Sequence, residues 1–224
     1  MTTEAVYVAQ SARTRVRPFT RADVDAWQSW PRHTDPLYFA YIPPVLSSAA
    51  RDSWYHDLTV RQRQLPFAVE DLNGRLIGRI FLRHVHRTPG SAVLGIDFAP
   101  DCLGRGLGTE ALGAFLQHYF GAMGFERLYL TVAAHNERAR RSYEKLGFRY
   151  LGSHWDRHDP AHGDVFNDPR FAGVRRFFRR TGSEVQGLFY DMALDRADFL
   201  RRAAEGSGQR PPGGPSGRRT HSPD

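Results

Sequence analysis

Residues 103–115 read LGRGLGTEALGAF, with Gly104, Gly106 and Gly108 standing directly before a run of helix formers. The residues before them, SAVLGIDFA (91–99), read as a strand. Glycine accepts positive φ and leaves no Cβ between the backbone and whatever lies against it. A strand, a glycine turn and a helix start therefore make an anion site, because the turn N–H groups and the positive end of the helix dipole converge. The competing reading is a tight strand-to-helix turn with nothing bound, and a bare glycine cluster does not separate the two.

The neighbouring sequence removes two nucleotide motifs. A P-loop needs GxxxxGK[ST], and no lysine lies near Thr109. The dinucleotide fingerprint needs a parallel βαβ unit opening on the turn. Here PFAVEDL (66–72) and RLIGRIFLRHV (75–85) flank Asn73-Gly74, the strongest short hairpin signal, because both residues accept positive φ. Pro89-Gly90 makes the next turn, so three consecutive antiparallel strands lead into the glycine stretch.

Elsewhere, Arg13–Phe19 alternates as a first strand, and Thr20 caps a helix over Arg21–Ser29. Ser47 and Ser48 open a second helix reaching about Gln64, and Glu110–Met123 has the spacing of a third. A buried strand over 126–134 precedes a short helix that opens on Asn136 and stops at Gly147, a residue suited to a left-handed C-cap. Strands over 148–155 and 185–194 complete an α/β (α+β) fold, a mixed, mainly antiparallel sheet of about seven strands flanked by helices. Between those last strands, 156–184 is an insertion; Asp168 and Pro169 start a helix in it, with Phe171, Val174 and Phe178 on one face.

At 224 residues with 41% hydrophobic content, one core and one domain are expected, over 12–202. Residues 1–11 read as a flexible N-terminus, and 203–224, dense in Gly, Pro and Arg, as a disordered tail. The net charge of +7 is carried almost wholly by arginine, partly in that tail, without the interleaved aromatics of a nucleic-acid binder. No apolar run is long enough to span a membrane, no secretory signal opens the chain, and the single Cys102 forms no internal disulfide. A cytoplasmic protein with no membrane or nucleic-acid partner is expected. The sequence does not decide between a monomer and a homodimer.

LGRGLG, following LGIDFAP and preceding TEAL, resembles the acyl-CoA motif [QR]-x-x-G-x-[GA] of the GNAT family of N-acetyltransferases. Leu103 stands where that family has Gln or Arg. A second match lies downstream, where Asn136, Ala139, Tyr143, Glu144, Lys145, Gly147 and Phe148 reproduce the family's N-x-x-A-x-x-x-Y-E-K-x-G-F. The likeness runs from about Arg13 to Leu194. The opening RVRPFTRADVDAW resembles the subgroup that acetylates ribosomal-protein N-termini.

The resemblance implies a GNAT fold in which the strands bearing Phe98 and Val132 splay apart to admit the pantetheine arm of acetyl-CoA, used as cosubstrate without a metal. Gly104, Arg105, Gly106, Leu107, Gly108 and Thr109 would receive the pyrophosphate. Phe98 and Ala99 would offer main-chain contacts to pantetheine, and Asn136 would hydrogen-bond it; a plain helix cap is the bland reading of Asn136. Tyr143 would protonate the departing thiolate, a role open to a phenol with pKa about 10; the alternative is a packed helix tyrosine. No general base is assigned. Phe98 is expected to face the ligand, so strand alternation counts against Asp97.

The cluster His154, Asp156, His158, Asp159, His162 and Asp164 lacks metal-ligand spacing and reads as a solvated loop. Trp30, Tyr38, Tyr41 and the Phe171–Phe178 helix are candidates for an acceptor wall. The function implied is transfer of an acetyl group to a primary amine, on a small molecule or a protein N-terminus, by direct attack in a ternary complex. A non-catalytic acyl-CoA sensor is the alternative.

Overall fold

The structure is a computed structural model that describes residues 6–159 and 163–207. Strands β1 (Ala9–Gln10) and β2 (Thr14–Pro18) lead into helix α1 (Arg21–Gln28), where Thr20 and Asp23 form a reciprocal capping box. A 3₁₀ turn (Pro36–Tyr41) and helix α2 (Ser48–His56) follow, and α2 widens into a π-helical turn over Asp57–Arg61. Strands β3 (Leu65–Asp71), β4 (Leu76–His86) and β5 (Ser91–Phe98) precede helix α3 (Leu107–Phe120), strand β6 (Arg127–Ala133) and helix α4 (Glu137–Leu146). Strand β7 (Arg149–Arg157), a 3₁₀ segment (Pro169–Phe177), β8 (Phe178–Thr181), β9 (Glu184–Asp195) and helix α5 (Arg196–Ser207) complete the described chain.

The sheet order is β1-β2-β3-β4-β5-β6-β9-β7, with β8 paired to β9. These nine strands exceed the expected seven by β1, two residues long, and β8, the outer arm of a hairpin with β9. Every pairing is antiparallel except β5 with β6. That parallel pair joins only Ser91, Ala92 and Val93 to Arg127, Leu128 and Tyr129, and beyond it the two strands diverge. The expected splay is therefore present, and it opens toward the glycine turn.

The main core fills one face of the sheet. Phe115, Leu116 and Tyr119 of α3 are fully buried, Phe67 packs on Phe115 at 4.8 Å, and the Tyr119 hydroxyl donates to the Arg127 carbonyl at 2.8 Å. On the opposite face Trp27 of α1 meets Trp54 of α2 at 4.8 Å and covers Arg79. A small second cluster holds Val165, Phe171 and Phe178.

Several expectations need correcting. The turn at Asn73-Gly74 exists, but only Gly74 has positive φ (+80°); the Asp71 carboxylate accepts from Asn73 and Arg75 N–H groups and closes a three-residue loop. Phe178 begins a strand rather than ending a helix face. The N-terminal stretch is not free over its described part: Ala9 and Gln10 pair with β2, and Ser11 donates to Glu110 at 2.8 Å. Residues 203–207 belong to α5, whose Phe199 packs on Phe120 at 5.2 Å; the rest of the expected tail lies outside the described residues. Helix α5 had no signature in the sequence reading.

Candidate active site

The divergence of β5 from β6 opens a cavity of about 500 Å³ that passes through the sheet. Its α3 side begins at the glycine turn. Gly104 and Gly106 have φ of +75° and +78°, a region L-residues rarely adopt, and a Cβ at Gly104 would meet only open space. Gly106 is the N-cap of α3 and has no side chain to satisfy the first-turn N–H groups, which have no intrahelical partner. Gly108 lies against Phe98, whose ring would stand 3.1 Å from a Cβ there. A cradle of unsatisfied donors at a helix N-terminus, with no Cβ in its mouth, fits an anion such as a pyrophosphate.

Phe98, Gly104, Gly106, Leu107, Gly108, Thr109, Asn136 and Tyr143 line this cavity together, and Leu103 joins them. Two expected residues do not reach the wall. Ala99 is fully buried, its N–H donates to the Ile77 carbonyl at 2.9 Å and its carbonyl accepts from Cys102, so neither group points at the cavity. Arg105 is exposed at the outside of the turn, and its carbonyl takes the Arg13 guanidinium at 3.2 Å. Arg13 also pairs with Glu110 at 2.7 Å, which makes Glu110 the clasp between α3 and the first strands.

Asn136 caps α4, its Oδ1 accepting from Ala139 N at 3.2 Å, and the same buried side chain lines the cavity. Tyr143 packs on Phe148 at 5.7 Å, and burial, followed by the field of Tyr41, pushes its pKa well above the ordinary phenol value. It remains a protonated donor at neutral pH.

The end of the cavity away from the glycine turn is formed by the α1–α2 loop and by β4. Tyr38 and Tyr41 line it, as does His33, whose ring meets that of Tyr38 at 5.6 Å with a tilt of 34°. Burial, and then the charge of Arg138, hold His33 below the ordinary histidine pKa, so its imidazole is neutral at pH 7. Trp30 is core, with its indole N–H donating to the Leu76 carbonyl at 3.1 Å, and Phe171 is sealed in the second cluster; neither is a wall. Asp97 does line the cavity, because the splay exposes both faces of β5, but Arg79 holds both its carboxylate oxygens. Arg79 itself lies 3.8 Å over the Trp27 ring. Burial raises the Cys102 pKa, so this residue stays a thiol and is no nucleophile.

His33, Phe81, Arg83 and Arg138 were missed by sequence reasoning. They reach the cavity from a loop, a strand and a helix face outside any motif. In the former cluster, His154 and Asp156 belong to β7, and His154 bonds Asp191 at 2.9 Å rather than joining a loop; His162 lies outside the described residues. Among the described residues no group of three metal-ligating side chains gathers, and no helix is long and apolar enough to cross a membrane.

Residues 13–149 match the family model described as an acetyltransferase (GNAT) domain. The spermidine N(1)-acetyltransferase of Escherichia coli K12 is 27% identical over 142 residues, covering 62% of this chain and 74% of the relative. Its Vibrio cholerae counterpart is 33% identical over 82 residues, 37% of this chain and 47% of that protein. A crystal structure of spermidine N-acetyltransferase from Vibrio cholerae in complex with CoA and spermine superposes with a TM-score of 0.62 at 20% identity, covering 84% of this chain and 98% of that one. These relatives do not support the ribosomal-protein subgroup suggested by the opening residues. The chain is an acetyl-CoA-dependent acyltransferase and belongs to the GNAT acetyltransferase family.

Proposed function

We infer that the protein transfers the acetyl group of acetyl-CoA to a small-molecule primary amine by direct attack in a ternary complex. The observation that carries the reading is the single cavity that joins the glycine cradle, Asn136 and Tyr143 to an aromatic acceptor wall through the splayed sheet. The cradle receives the pyrophosphate, and the unpaired edge of β5 offers backbone groups to the pantetheine arm. The amine nitrogen attacks the thioester carbonyl, its surplus proton is lost, and the C–S bond breaks to release CoA thiolate. Tyr143 faces the leaving sulfur as a donor. Because burial raises its pKa, it stabilises the thiolate by hydrogen bonding more than by complete proton transfer.

A non-catalytic acyl-CoA sensor is not favoured, since the matched relatives are named as enzymes and a protonated tyrosine stands in the cavity. The test is CoA release from acetyl-CoA across an amine panel with spermidine as the reference acceptor, alongside calorimetry with CoA. Amine-dependent release and CoA binding are expected. CoA binding without turnover on any amine would overturn acetyl transfer, and absent CoA binding would overturn the site itself.

A further inference from the structure

The charges on the acceptor side are uneven. Its wall carries Arg83, Asp97 and Arg138, and the hollow of about 280 Å³ that continues past Phe81 and Arg83 adds Asp57 and Arg79. Each carboxylate is already matched: Asp97 by both arms of Arg79, and Asp57 by Arg61 at 3.1 Å. Arg79 is matched by Asp97, but Arg83 and Arg138 have no carboxylate partner among the described residues. Among the described residues, Arg138 has only the Tyr38 ring beneath it at 5.0 Å, and Arg83 only the Phe81 ring at 5.7 Å. The Arg83 Nε is buried without a hydrogen-bond partner, a costly arrangement for a cationic donor unless a ligand completes it.

The backbone positions Arg83 for such a ligand. It alternates with Arg79 and Phe81 on the face of β4 away from α3, opposite Val93, where β5 and β6 part. Immediately beyond it the strand bulges, and His84 sits at φ +46°, strained for a residue with a side chain. Five residues separate Arg83 from Gly78, which pairs with Phe98, so it stands about 16 Å along the strand from the mouth of the phosphate cradle. A pyrophosphate in that cradle does not reach it.

We propose that the acceptor is a primary amine that also carries an anionic group, a carboxylate or a phosphate, and that Arg83 receives this group. The proposal rests on the acetyl-transfer reading and narrows it. A second ammonium, as in a polyamine, would meet unpaired cations and no free carboxylate on these walls, whereas an anion gains charge-assisted hydrogen bonds from Arg83.

The test compares kcat/KM of the full chain for 5-aminovalerate against butylamine, phosphoethanolamine against ethanolamine, and spermidine, with calorimetry of each amine on the CoA-saturated protein. The member of at least one pair that carries the anionic group is expected to exceed the analogue lacking it by about tenfold or more, and Arg83→Gln to erase that difference while CoA affinity is retained. Which pair responds tells carboxylate from phosphate. Spermidine turned over at least as well as every anionic amine, or a preference that survives Arg83→Gln, overturns the proposal and leaves acetyl transfer standing. If no amine is turned over, acetyl transfer fails, and the binding measurements decide this proposal separately. Tighter binding of an anionic amine, lost in Arg83→Gln, supports it, and equal binding of both members overturns it.

Discussion

Tyr143 and His33 line one cavity and hold opposite proton inventories. Tyr143, with its pKa raised by burial, keeps its proton; His33, with its pKa lowered by burial and by Arg138, is free to take one. Replacing Tyr143 by Phe removes the donor but keeps the ring against Phe148. We expect kcat to fall about a hundredfold with CoA affinity unchanged, measured by steady-state rates and calorimetry. If His33 accepts the amine proton, only its neutral form works. Since its folded pKa lies below the ordinary value of about 6.5, kcat/KM should be level at neutral pH and fall on the acid side of that value. His33→Gln should lower the plateau and remove the acid limb; an acid limb unchanged in the variant would assign it to another group.

At the scale of elements, the turn before α3 separates conformational need from packing. An Ala at Gly106 must adopt φ +78°, at a cost of about 1 to 2 kcal/mol, although its Cβ would meet Arg13 only at ordinary contact distance, 3.5 Å. Gly113, in the body of α3, has no positive φ, and its Cβ would press on Leu146 at 3.3 Å. Gly106→Ala is therefore expected to lower Tm and weaken CoA binding about tenfold, while Gly113→Ala changes only Tm, as read by thermal melts and calorimetry. The same distinction explains what could be read in advance. Elements announced by local chemistry were legible: the Thr20 box, the Asn136 cap with its Gly147 stop, the glycine turn, and the hairpin strands. Elements shaped by tertiary packing were not. Phe178 pairs with Gly187 in a hairpin despite a helical spacing, and α5 forms where Phe199 finds Phe120 and Asp198 finds Arg149 at 2.7 Å. The cavity lining divides likewise: the residues proposed for the cofactor sit in two contiguous motifs. At the proposed acceptor end Tyr38 and Tyr41 are legible as wall candidates, whereas His33, Phe81, Arg83 and Arg138 are related by no spacing.

Across the whole molecule, one largely buried arginine ties the first strands to the first helix. Arg17 on β2 is bonded by both carboxylate oxygens of Asp23 at 2.7 Å and by Glu70 of β3, and the three side chains are only 15%, 6% and 7% exposed. Burial alone would raise the Asp23 pKa, but hydrogen bonds from Arg17 and Thr20 and the Arg17 charge outweigh it and hold the group below its ordinary value. A depressed carboxylate contributes stability above its unfolded pKa of about 4, which is lost as pH falls through the folded value. His33, His118 and His135 add an earlier and shallower effect. Burial lowers all three, so between pH of about 6.5 and their folded values the unfolded chain binds protons that the folded chain refuses, and stability falls with pH there too. Arg17→Met keeps most of the aliphatic stem and leaves two buried carboxylates without a cation, which should cost about 3 kcal/mol at pH 7. Protonating Asp23 removes its electrostatic part of that loss. Chemical denaturation of both proteins between pH 7 and 3 is therefore expected to show the gap between them narrowing as pH falls from the variant's burial-raised Asp23 value toward the parent's depressed one, with the histidine effect common to both. A gap that stays constant over the whole range would assign the loss to packing of the Arg17 stem instead of its charge.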